Sequence, residues 1–211
     1  MSSHVHVSRH ALVQHFLGPL RDVGTRPEVF RGLVRRLTQL LFAEATAALP
    51  LCESRVRTPL AECAAARLSE TIGIAPVLRA GLGMVDPILE WIPEAKVLHL
   101  GMYRDPTTCL PVPYYSKLHG QRPPDRCYLL DPMLATGGSA AAAVSMLKEW
   151  GAGNIVCLSL IGAPEGVANL HRTHSDVPIF LAALDERLDE RSYIVPGLGD
   201  AGDRQFGTDH A

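Results

Sequence analysis

The chain has 211 residues, of which 47% are hydrophobic and 20% are charged. This composition is too apolar for a disordered protein, and a chain of this length buries a full core without disulfides or metals. We therefore expect a single domain over residues 1–211. The formal net charge of −2 argues against nucleic-acid and membrane-surface partners, because both usually require a basic surface.

Cysteine usage and apolar runs indicate the cellular compartment. The five cysteines are odd in number and no two have C-x-x-C spacing, so we predict neither a disulfide framework nor a zinc knuckle. Residues 1–6 lack the apolar segment of a secretory signal, and no apolar run is long enough to span a bilayer. These features predict a cytoplasmic protein without a membrane anchor.

The first clear element in chain order is a helix that begins near Pro27. Thr25 and Glu28 have the spacing of a capping box, and a proline suits the first helical turn. Apolar residues then recur at helical spacing, at Phe30, Leu33, Val34, Leu37, Leu40 and Leu41. We assign about residues 1–50 to an N-terminal helical region.

From residue 72 to about residue 185, short apolar runs alternate with helical segments. The runs are Ile72–Leu78, Lys96–Tyr103, Cys127–Leu130, Ile155–Ile161 and Ile179–Leu184, and the helical segments are Leu82–Trp91, Gly138–Trp150 and Pro164–His174. Alternation of this kind predicts a parallel sheet with crossover helices, which forms the core of the domain at about residues 70–185. Ligands bind beyond the carboxyl ends of such strands, so the turns there are the places to search.

The strongest of these turns follows Leu130. Asp131–Ser139 reads Asp-Pro-Met-Leu-Ala-Thr-Gly-Gly-Ser and leads into an alanine-rich helix. Its glycines let the backbone approach a ligand, and the new helix presents free N–H groups and its positive dipole end. The Walker and Rossmann glycine patterns are absent. We interpret the segment as a phosphate-binding loop in which Asp131 accepts hydrogen bonds from a sugar diol; for Thr136–Ser139 alone, a tight turn with a serine N-cap is the alternative.

Arginines follow two other strands. Arg79 precedes a second glycine turn, and Arg104 comes directly after the run Lys96–Tyr103. Guanidinium groups match phosphate oxygens, although for Arg79 a surface position beside a turn is an equal alternative. The proline-bearing segment after Arg104 suggests a mobile lid or arm, or a β-hairpin at the sheet edge, and both can be true.

The C-terminal segment Tyr193–Asp203 contains three glycines, one proline and two aspartates. Its glycines would open backbone groups to a flat ligand, and Asp200 and Asp203 carry the oxygen ligands that Mg²⁺ prefers. Composition alone favours an ordinary surface loop. Three early histidines, His4, His6 and His10, lack acidic or cysteine neighbours, which favours solvent exposure over metal binding.

Taken together and in chain order, these segments resemble the motifs of uracil phosphoribosyltransferases. Pro76–Met84 resembles the family's pyrophosphate loop, and Gly101–Arg104 one of its segments for phosphoribosyl pyrophosphate (PRPP). Asp131–Ser139 resembles the main PRPP motif, and Tyr193–Asp203 the uracil loop. The usual C-terminal ending matches Gln205–Thr208. Four motifs in the family's order make the resemblance specific.

The resemblance implies an α/β protein with the type I phosphoribosyltransferase fold. This fold has a central, mostly parallel sheet flanked by helices, a β-arm, and a small hood, here about residues 186–211, that covers the base. The implied reaction converts uracil and PRPP to UMP and pyrophosphate in pyrimidine salvage, with Mg²⁺ as cofactor. A homodimer or homotetramer and a GTP effector would also be consistent with the family.

The resemblance also implies roles for individual residues. Arg79, Arg104 and Asp200 would be catalytic, and Asp200 would also hold a Mg²⁺ ion shared with PRPP. Contacts to PRPP would come from Arg79, Arg104, Asp131, Pro132, Met133, Leu134, Ala135, Thr136, Gly137, Gly138, Ser139 and Asp200. Uracil would lie against Ile194, Gly199, Asp200 and Ala201.

Two alternatives stay open at this point. The chain could be a nucleotide-binding regulator or inactive homologue that retains the fold, although every expected loop residue is present and the net charge argues against an RNA-binding role. It could also act on another base, such as cytosine or xanthine. Pro132 stands where many phosphoribosyltransferases have a second acidic residue, which favours uracil over hypoxanthine or orotate enzymes. Apart from Thr58–Leu60, residues 50–70 match the family weakly, so the resemblance assigns them no subunit contact or effector site.

Overall fold

The computed structural model describes residues 4–104, 111–116, 118, 120 and 122–208. Its helices are α1 (Ala11–Arg21), α2 (Pro27–Thr46), α3 (Val85–Leu89), α4 (Gly138–Trp150), α5 (Pro164–Thr173) and α6 (Ala201–Phe206), with a 3-10 turn at Ala80–Met84. Its strands are β1 (Val5–Val7), β2 (Leu51–Arg57), β3 (Glu62–Leu68), β4 (Ile72–Leu78), β5 (Lys96–Val97), β6 (Leu100–Arg104), β7 (Pro111–Ser116), β8 (Arg126–Leu130), β9 (Met133–Leu134), β10 (Asn154–Gly162), β11 (Ile179–Leu184), β12 (Arg187–Leu188) and β13 (Ile194–Val195).

The central sheet has the strand order β1-β11-β10-β8-β4-β6-β7, with β5 beside β4 and β9 beside β10. Within it, β6 and β7 pair antiparallel and the other pairs are parallel. The predicted runs from residue 72 onward lie in this sheet. Because β8, β4 and β6 are parallel neighbours, the loops that follow them meet at one edge of the sheet.

Helices cover both faces of the sheet, as alternating buried side chains require. Ile74 and Tyr128 belong to a core cluster with α1, α2 and α3. Their chain neighbours Ala75 and Leu129 belong to a second cluster with α4 and α5. Strands β4 and β8 are therefore buried on both sides, which explains why their sequences are continuously apolar.

Two local predictions need correction. The helix predicted over Leu82–Trp91 is a 3-10 turn followed by the five-residue α3. Glycines in the turn and Pro87 within α3 lower helix stability, which accounts for the shortening. The capping box at the start of α2 is also wrong, because Arg26 is the N-cap residue and the Thr25 hydroxyl instead donates to the Pro19 carbonyl at 2.5 Å.

The structure also contains elements that we did not predict. Strand β1 extends the sheet beyond β11, and α1 packs against α2. Strands β2 and β3 form an antiparallel hairpin over residues 51–68, whose side chains are mostly exposed. The edge hairpin predicted after Arg104 is confirmed by the antiparallel pairing of β6 with β7. Residues 105–110, where we suggested a mobile lid or arm, lie outside the described part of the chain. Among the helices of the described residues, none has the length and apolar character needed to cross a bilayer.

Candidate functional site

The loop between β8 and α4 forms a small cradle at the carboxyl edge of the sheet. Its residues enclose a cavity of about 60 Å³ lined by Asp131, Met133, Leu134, Ala135, Thr136, Gly137, Ser139 and Ala140. Gly138 begins α4, so free N–H groups of the first helical turn lie beside the cavity. The structure therefore places the predicted phosphate loop around one compact space, at the end of a helix whose dipole favours an anion.

Close packing against α5 determines the shape of this cradle. Gly137 has φ +74°, and a Cβ at this position would lie 2.4 Å from the Gly166 carbonyl oxygen. A Cβ at Gly166 would in turn lie 2.4 Å from the Ala135 carbonyl oxygen. The Asn169 amide donates to the Thr136 carbonyl at 2.8 Å. The loop thus requires glycine at both facing positions, and the start of α5 supports it from behind.

Asp131 and Pro132 begin the cradle at the end of β8. The partly buried Asp131 carboxyl accepts a weak hydrogen bond from the Met133 N–H at 3.4 Å. Desolvation raises the pKa of Asp131 to about 7, against the small opposing effect of that bond. Pro132 is buried, and its carbonyl accepts from the N–H groups of Leu160 and Ile161 on β10. Pro132 therefore fixes the start of the loop to β10, while Asp131 lines the cavity.

Arg79 lies at the end of β4, between the ends of β8 and β6. The Leu78–Arg79 peptide bond is cis. In the 3-10 turn that follows, Gly81 packs against β8 so closely that a Cβ on it would lie 2.4 Å from the Leu130 carbonyl oxygen. The Arg79 side chain is 56% exposed and pairs with Asp203 of α6. The backbone of Arg104 ends β6 at the same edge, and its side chain lies outside the described part.

The C-terminal segment folds over the cradle and forms a second cavity. This space of about 260 Å³ is lined by Met133, Ala135, Arg191, Ser192, Tyr193, Gly199 and Asp200. Since Met133 and Ala135 line both cavities, the two spaces adjoin. The structure therefore brings the predicted phosphate loop, Asp131–Ser139, together with the predicted uracil loop, Tyr193–Asp203, which we call the base loop.

The predicted base-binding residues divide into two groups. Gly199, with φ +79°, and Asp200 line the second cavity. Ile194 and Ala201 are buried in the core cluster that packs under the loop. Asp200 is also the N-cap residue of α6, since its carboxylate accepts from the Asp203 N–H at 2.9 Å. A loop and a short helix with fixed caps thus hold the edge of the cavity.

Sequence reasoning missed part of this lining, namely Arg191 and Ser192. They lie in a turn where the Asp189 carboxylate accepts from the N–H groups of Arg191 and Tyr193, and Ser192 has φ +66°. An aspartate that bonds to backbone two residues ahead is typical of Asx turns. The sequence Asp-Glu-Arg-Ser before Tyr193 could therefore have predicted this turn. It could not have predicted that Arg191 and Ser192 line a cavity.

Arg204 connects the base loop to the N-terminal helices. Its guanidinium donates to the carbonyls of Leu20 and Leu198, at 2.8 and 2.9 Å, and lies 4.5 Å from the centre of the Phe30 ring. Burial of the guanidinium lowers the pKa of Arg204. The loop over the second cavity is thus attached to α1 and α2 rather than to the sheet alone.

The donors available for a metal ion are carboxylates spread around the two cavities. No three His, Cys, Asp or Glu side chains of the described residues cluster closely enough to hold a metal by themselves. Among the residues that the structure describes, the acidic side chains that line the cavities are Asp131 and Asp200, and one oxygen of Asp200 caps α6. Such a donor set fits Mg²⁺ that a substrate phosphate also coordinates, because Mg²⁺ needs only one or two protein carboxylates.

Comparison with known proteins gives the family. The profile of the family described as "Uracil phosphoribosyltransferase" matches residues 7–208. A protein of that name from Roseiflexus sp. (strain RS-1) is 60% identical over 204 residues, which cover 97% of this chain and 98% of that protein. Another, from Thermoanaerobacter sp. (strain X514), is 51% identical over 209 residues, which cover 99% of this chain and 100% of that protein.

Solved structures confirm the predicted fold class. The structure of the AQ2163 protein from Aquifex aeolicus has a TM-score of 0.92 and 34% sequence identity, and the alignment covers 98% of this chain and 100% of that one. The adenine phosphoribosyl transferase from Trypanosoma brucei has a TM-score of 0.57 at 15% identity over 92% of this chain and 87% of that one, which shows a shared fold. Because the family profile matches nearly the whole chain and relatives of that name are up to 60% identical over 97% of it, the chain belongs to the uracil phosphoribosyltransferase family.

Proposed function

We propose that this protein transfers the phosphoribosyl group of PRPP to uracil and releases UMP and pyrophosphate, a step of pyrimidine salvage. The observation that carries this proposal is the junction of the two cavities at Met133 and Ala135. A phosphate-sized space opens there directly onto a larger space beneath the base loop. Family membership supports the same reaction.

In the proposed reaction, uracil N1 forms a bond to C1 of the ribose as the bond from C1 to pyrophosphate breaks, and the N1 proton passes to solvent or to a phosphate oxygen of the departing pyrophosphate. Positive charge builds on the sugar and negative charge on the leaving group, so the protein needs no covalent nucleophile. It must hold both reactants in line and stabilise the leaving charge. We assign the first task to the two loops and the second to Arg79 and Arg104.

The 5-phosphate of PRPP is assigned to the cradle at residues 131–139, with Asp131 at the ribose hydroxyls. The cavity of about 60 Å³ and the N–H groups at the start of α4 support this placement. Uracil is assigned to the second cavity, where backbone groups near Gly199 read its edge. A site of this kind rejects cytosine, because the exocyclic amine reverses one donor–acceptor relation and leaves buried polar groups unpaired.

We propose Mg²⁺ as the cofactor, held by Asp200 together with phosphate oxygens of PRPP. When bound, the ion neutralises charge on the departing pyrophosphate. Asp200 contributes a carboxylate at the edge of the second cavity, and its capping bond to the Asp203 N–H fixes the orientation of that carboxylate.

Three further properties stay predictions. A homodimer or homotetramer is supported by the exposed β2–β3 hairpin, since two-stranded hairpins alone are marginally stable in water and usually pack against something else. GTP as an effector rests on the family resemblance. A cytoplasmic location rests on cysteine usage.

The direct test incubates the purified protein with uracil, PRPP and Mg²⁺, with and without EDTA, and measures UMP and pyrophosphate. We expect equimolar UMP and pyrophosphate that EDTA abolishes. Parallel reactions with cytosine and xanthine should give no nucleotide. Failure to form UMP, also after GTP is added, would contradict the proposal, and turnover of another base at a similar rate would contradict the assignment of uracil.

A further inference from the structure

Helix α6 contacts two consecutive residues of the loop after β4. The Asp203 carboxylate accepts from Arg79 Nη2 at 2.9 Å, and the Gln205 amide donates to the Ala80 carbonyl at 2.8 Å. Gln205 is completely buried. These contacts join a strand end in the first half of the domain to a helix at its C-terminus, 124 residues away.

The ion pair leaves Arg79 able to bind an anion. Asp203 is only 14% exposed and also accepts from the Thr208 hydroxyl at 2.5 Å, so its carboxylate has a defined position. Arg79 is 56% exposed, and Asp203 accepts from one of its five N–H groups. A guanidinium that is held at one nitrogen keeps its other N–H donors for a phosphate. Because the ion pair already orders the long side chain, less conformational entropy is lost when the ligand binds.

Arg79 also lies close to the base loop. A Cβ on Gly202 would be 3.6 Å from Arg79 Nη2 and 3.1 Å from Asp200 Oδ1, so the guanidinium and the capping carboxylate flank the same glycine. A side chain at position 202 would therefore contact both groups and press on the Asp200 carboxylate. The packing thus brings the arginine to the side of the second cavity where Asp200 stands.

From this geometry we propose that Asp203 is a positioning residue: it holds the Arg79 guanidinium in the orientation that binds the pyrophosphate group of PRPP. The inference rests on the proposed function, since it concerns the same site. It assigns to α6, whose first residues are also the end of the base loop, a second role in pyrophosphate binding.

The test compares the wild-type protein with Asp203→Ala and Asp203→Asn. We expect Asp203→Ala to raise the KM for PRPP about tenfold, because an oriented charged hydrogen bond is lost. The KM for uracil should change less than about twofold, since Arg79 acts on the other substrate. Asp203→Asn should fall in between, because its amide oxygen still accepts from Arg79 and Thr208. Equal rises in both KM values would indicate general damage to the site and would overturn the proposal.

Two controls separate positioning from folding. Asp176→Asn makes the same change at a surface ion pair with Lys148, whose side chains are 67% and 33% exposed, and should leave both KM values unchanged. In an Arg79→Ala background, Asp203→Ala should have no further effect on the KM for PRPP, because a residue that acts through Arg79 has nothing left to orient. An undiminished effect in that background contradicts the proposal.

A binding measurement keeps this inference separate from the proposed function. Inorganic pyrophosphate with Mg²⁺ is titrated into each variant by calorimetry, without any turnover. We expect wild-type protein to bind it about tenfold more tightly than Asp203→Ala. If the wild-type protein makes no UMP, the proposed function fails while this titration still tests Asp203. Equal affinities for the two proteins would overturn the role of Asp203.

Discussion

Arg21 and Asp185 are 164 residues apart in the sequence and form a two-point ion pair. Nη1 and Nη2 of Arg21 donate to Oδ2 and Oδ1 of Asp185 at 2.7 and 2.5 Å. The same guanidinium donates to the Gly197 carbonyl at 2.8 Å, and the Gly197 N–H donates back to Asp185 at 2.9 Å. This three-way contact fastens the end of α1, the end of β11 and the base loop to one another.

The first prediction concerns this contact. Asp185 is 4% exposed and Arg21 is 24% exposed, so Asp185→Asn leaves a largely desolvated guanidinium without its counter-charge. We expect the free energy of unfolding to fall by about 3 kcal/mol, and the KM for uracil to rise because the base loop loses its anchor. Urea unfolding and steady-state kinetics measure the two effects. The control Asp176→Asn at the exposed pair with Lys148 should change stability by less than about 0.5 kcal/mol; an equal loss in both variants would contradict the prediction.

The second prediction concerns the phosphate cradle. At Gly137, alanine would combine a left-handed backbone with a Cβ 2.4 Å from the Gly166 carbonyl oxygen. We expect Gly137→Ala to lower the free energy of unfolding by about 3 kcal/mol and to weaken PRPP binding, because the loop must move. Gly120→Ala is a matched control, since Gly120 also has a positive φ of +77° but a Cβ there meets no described atom within 4 Å. It should cost about 1 kcal/mol, and the difference between the variants, measured by urea unfolding, isolates the contact with Gly166.

The third prediction is a pH dependence of stability from Asp131. Because burial raises its pKa in the folded protein to about 7, the native state binds more protons than the unfolded chain, whose aspartates titrate near pH 3.9. The contribution of Asp131 to stability is therefore largest at low pH and is lost as the pH rises through about 7. Asp131→Asn does not titrate, so its stability relative to wild type should increase between about pH 4 and about pH 8. Thermal unfolding at both ends of this range checks the sign, and a constant difference would contradict it.

The fourth prediction separates charge from capping at Asp200. Asp200→Asn keeps an oxygen that accepts from the Asp203 N–H, so α6 should remain folded and the melting temperature should hold. The loss of charge should lower kcat/KM at least about tenfold and increase the Mg²⁺ concentration needed for half-maximal activity. Asp200→Ala should additionally cost about 1 kcal/mol of stability through the lost cap. A variant Asp200→Asn with wild-type Mg²⁺ dependence would exclude Asp200 as a metal ligand.

Much of the fold was predictable because its signals are local. Strands β4 and β11 and helix α4 have the predicted bounds, since continuous apolar runs and a glycine-started helix reflect backbone preferences and burial on both faces. Strand β1 and the β2–β3 hairpin escaped prediction. Three residues are too few for a period, and the hairpin residues are mostly exposed, so no alternation of buried and exposed side chains marked them.

For the site, residue types alone indicated phosphate binding by Asp131–Ser139, whereas composition favoured an ordinary surface loop for Tyr193–Asp203 and the family resemblance gave that segment its base-binding role. Both segments concentrate glycines and polar side chains within a few residues, and their order along the chain matches that of the family's motifs. Arg191 and Ser192 were missed because they reach the cavity only through the fold of a turn. Their side chains carry no spacing signal that distinguishes cavity lining from an ordinary surface.

The sequence alone therefore determined most of the alternating strands and helices from residue 72 onward, the segments proposed for phosphate and base binding, and the family. The tertiary structure decided which distant groups meet: Arg21 with Asp185, Arg79 with Asp203, and Gly137 with Gly166. Local patterns reflect backbone conformation and burial over a few residues. Contacts between groups up to 164 residues apart depend on how whole elements pack, which no short window of sequence encodes.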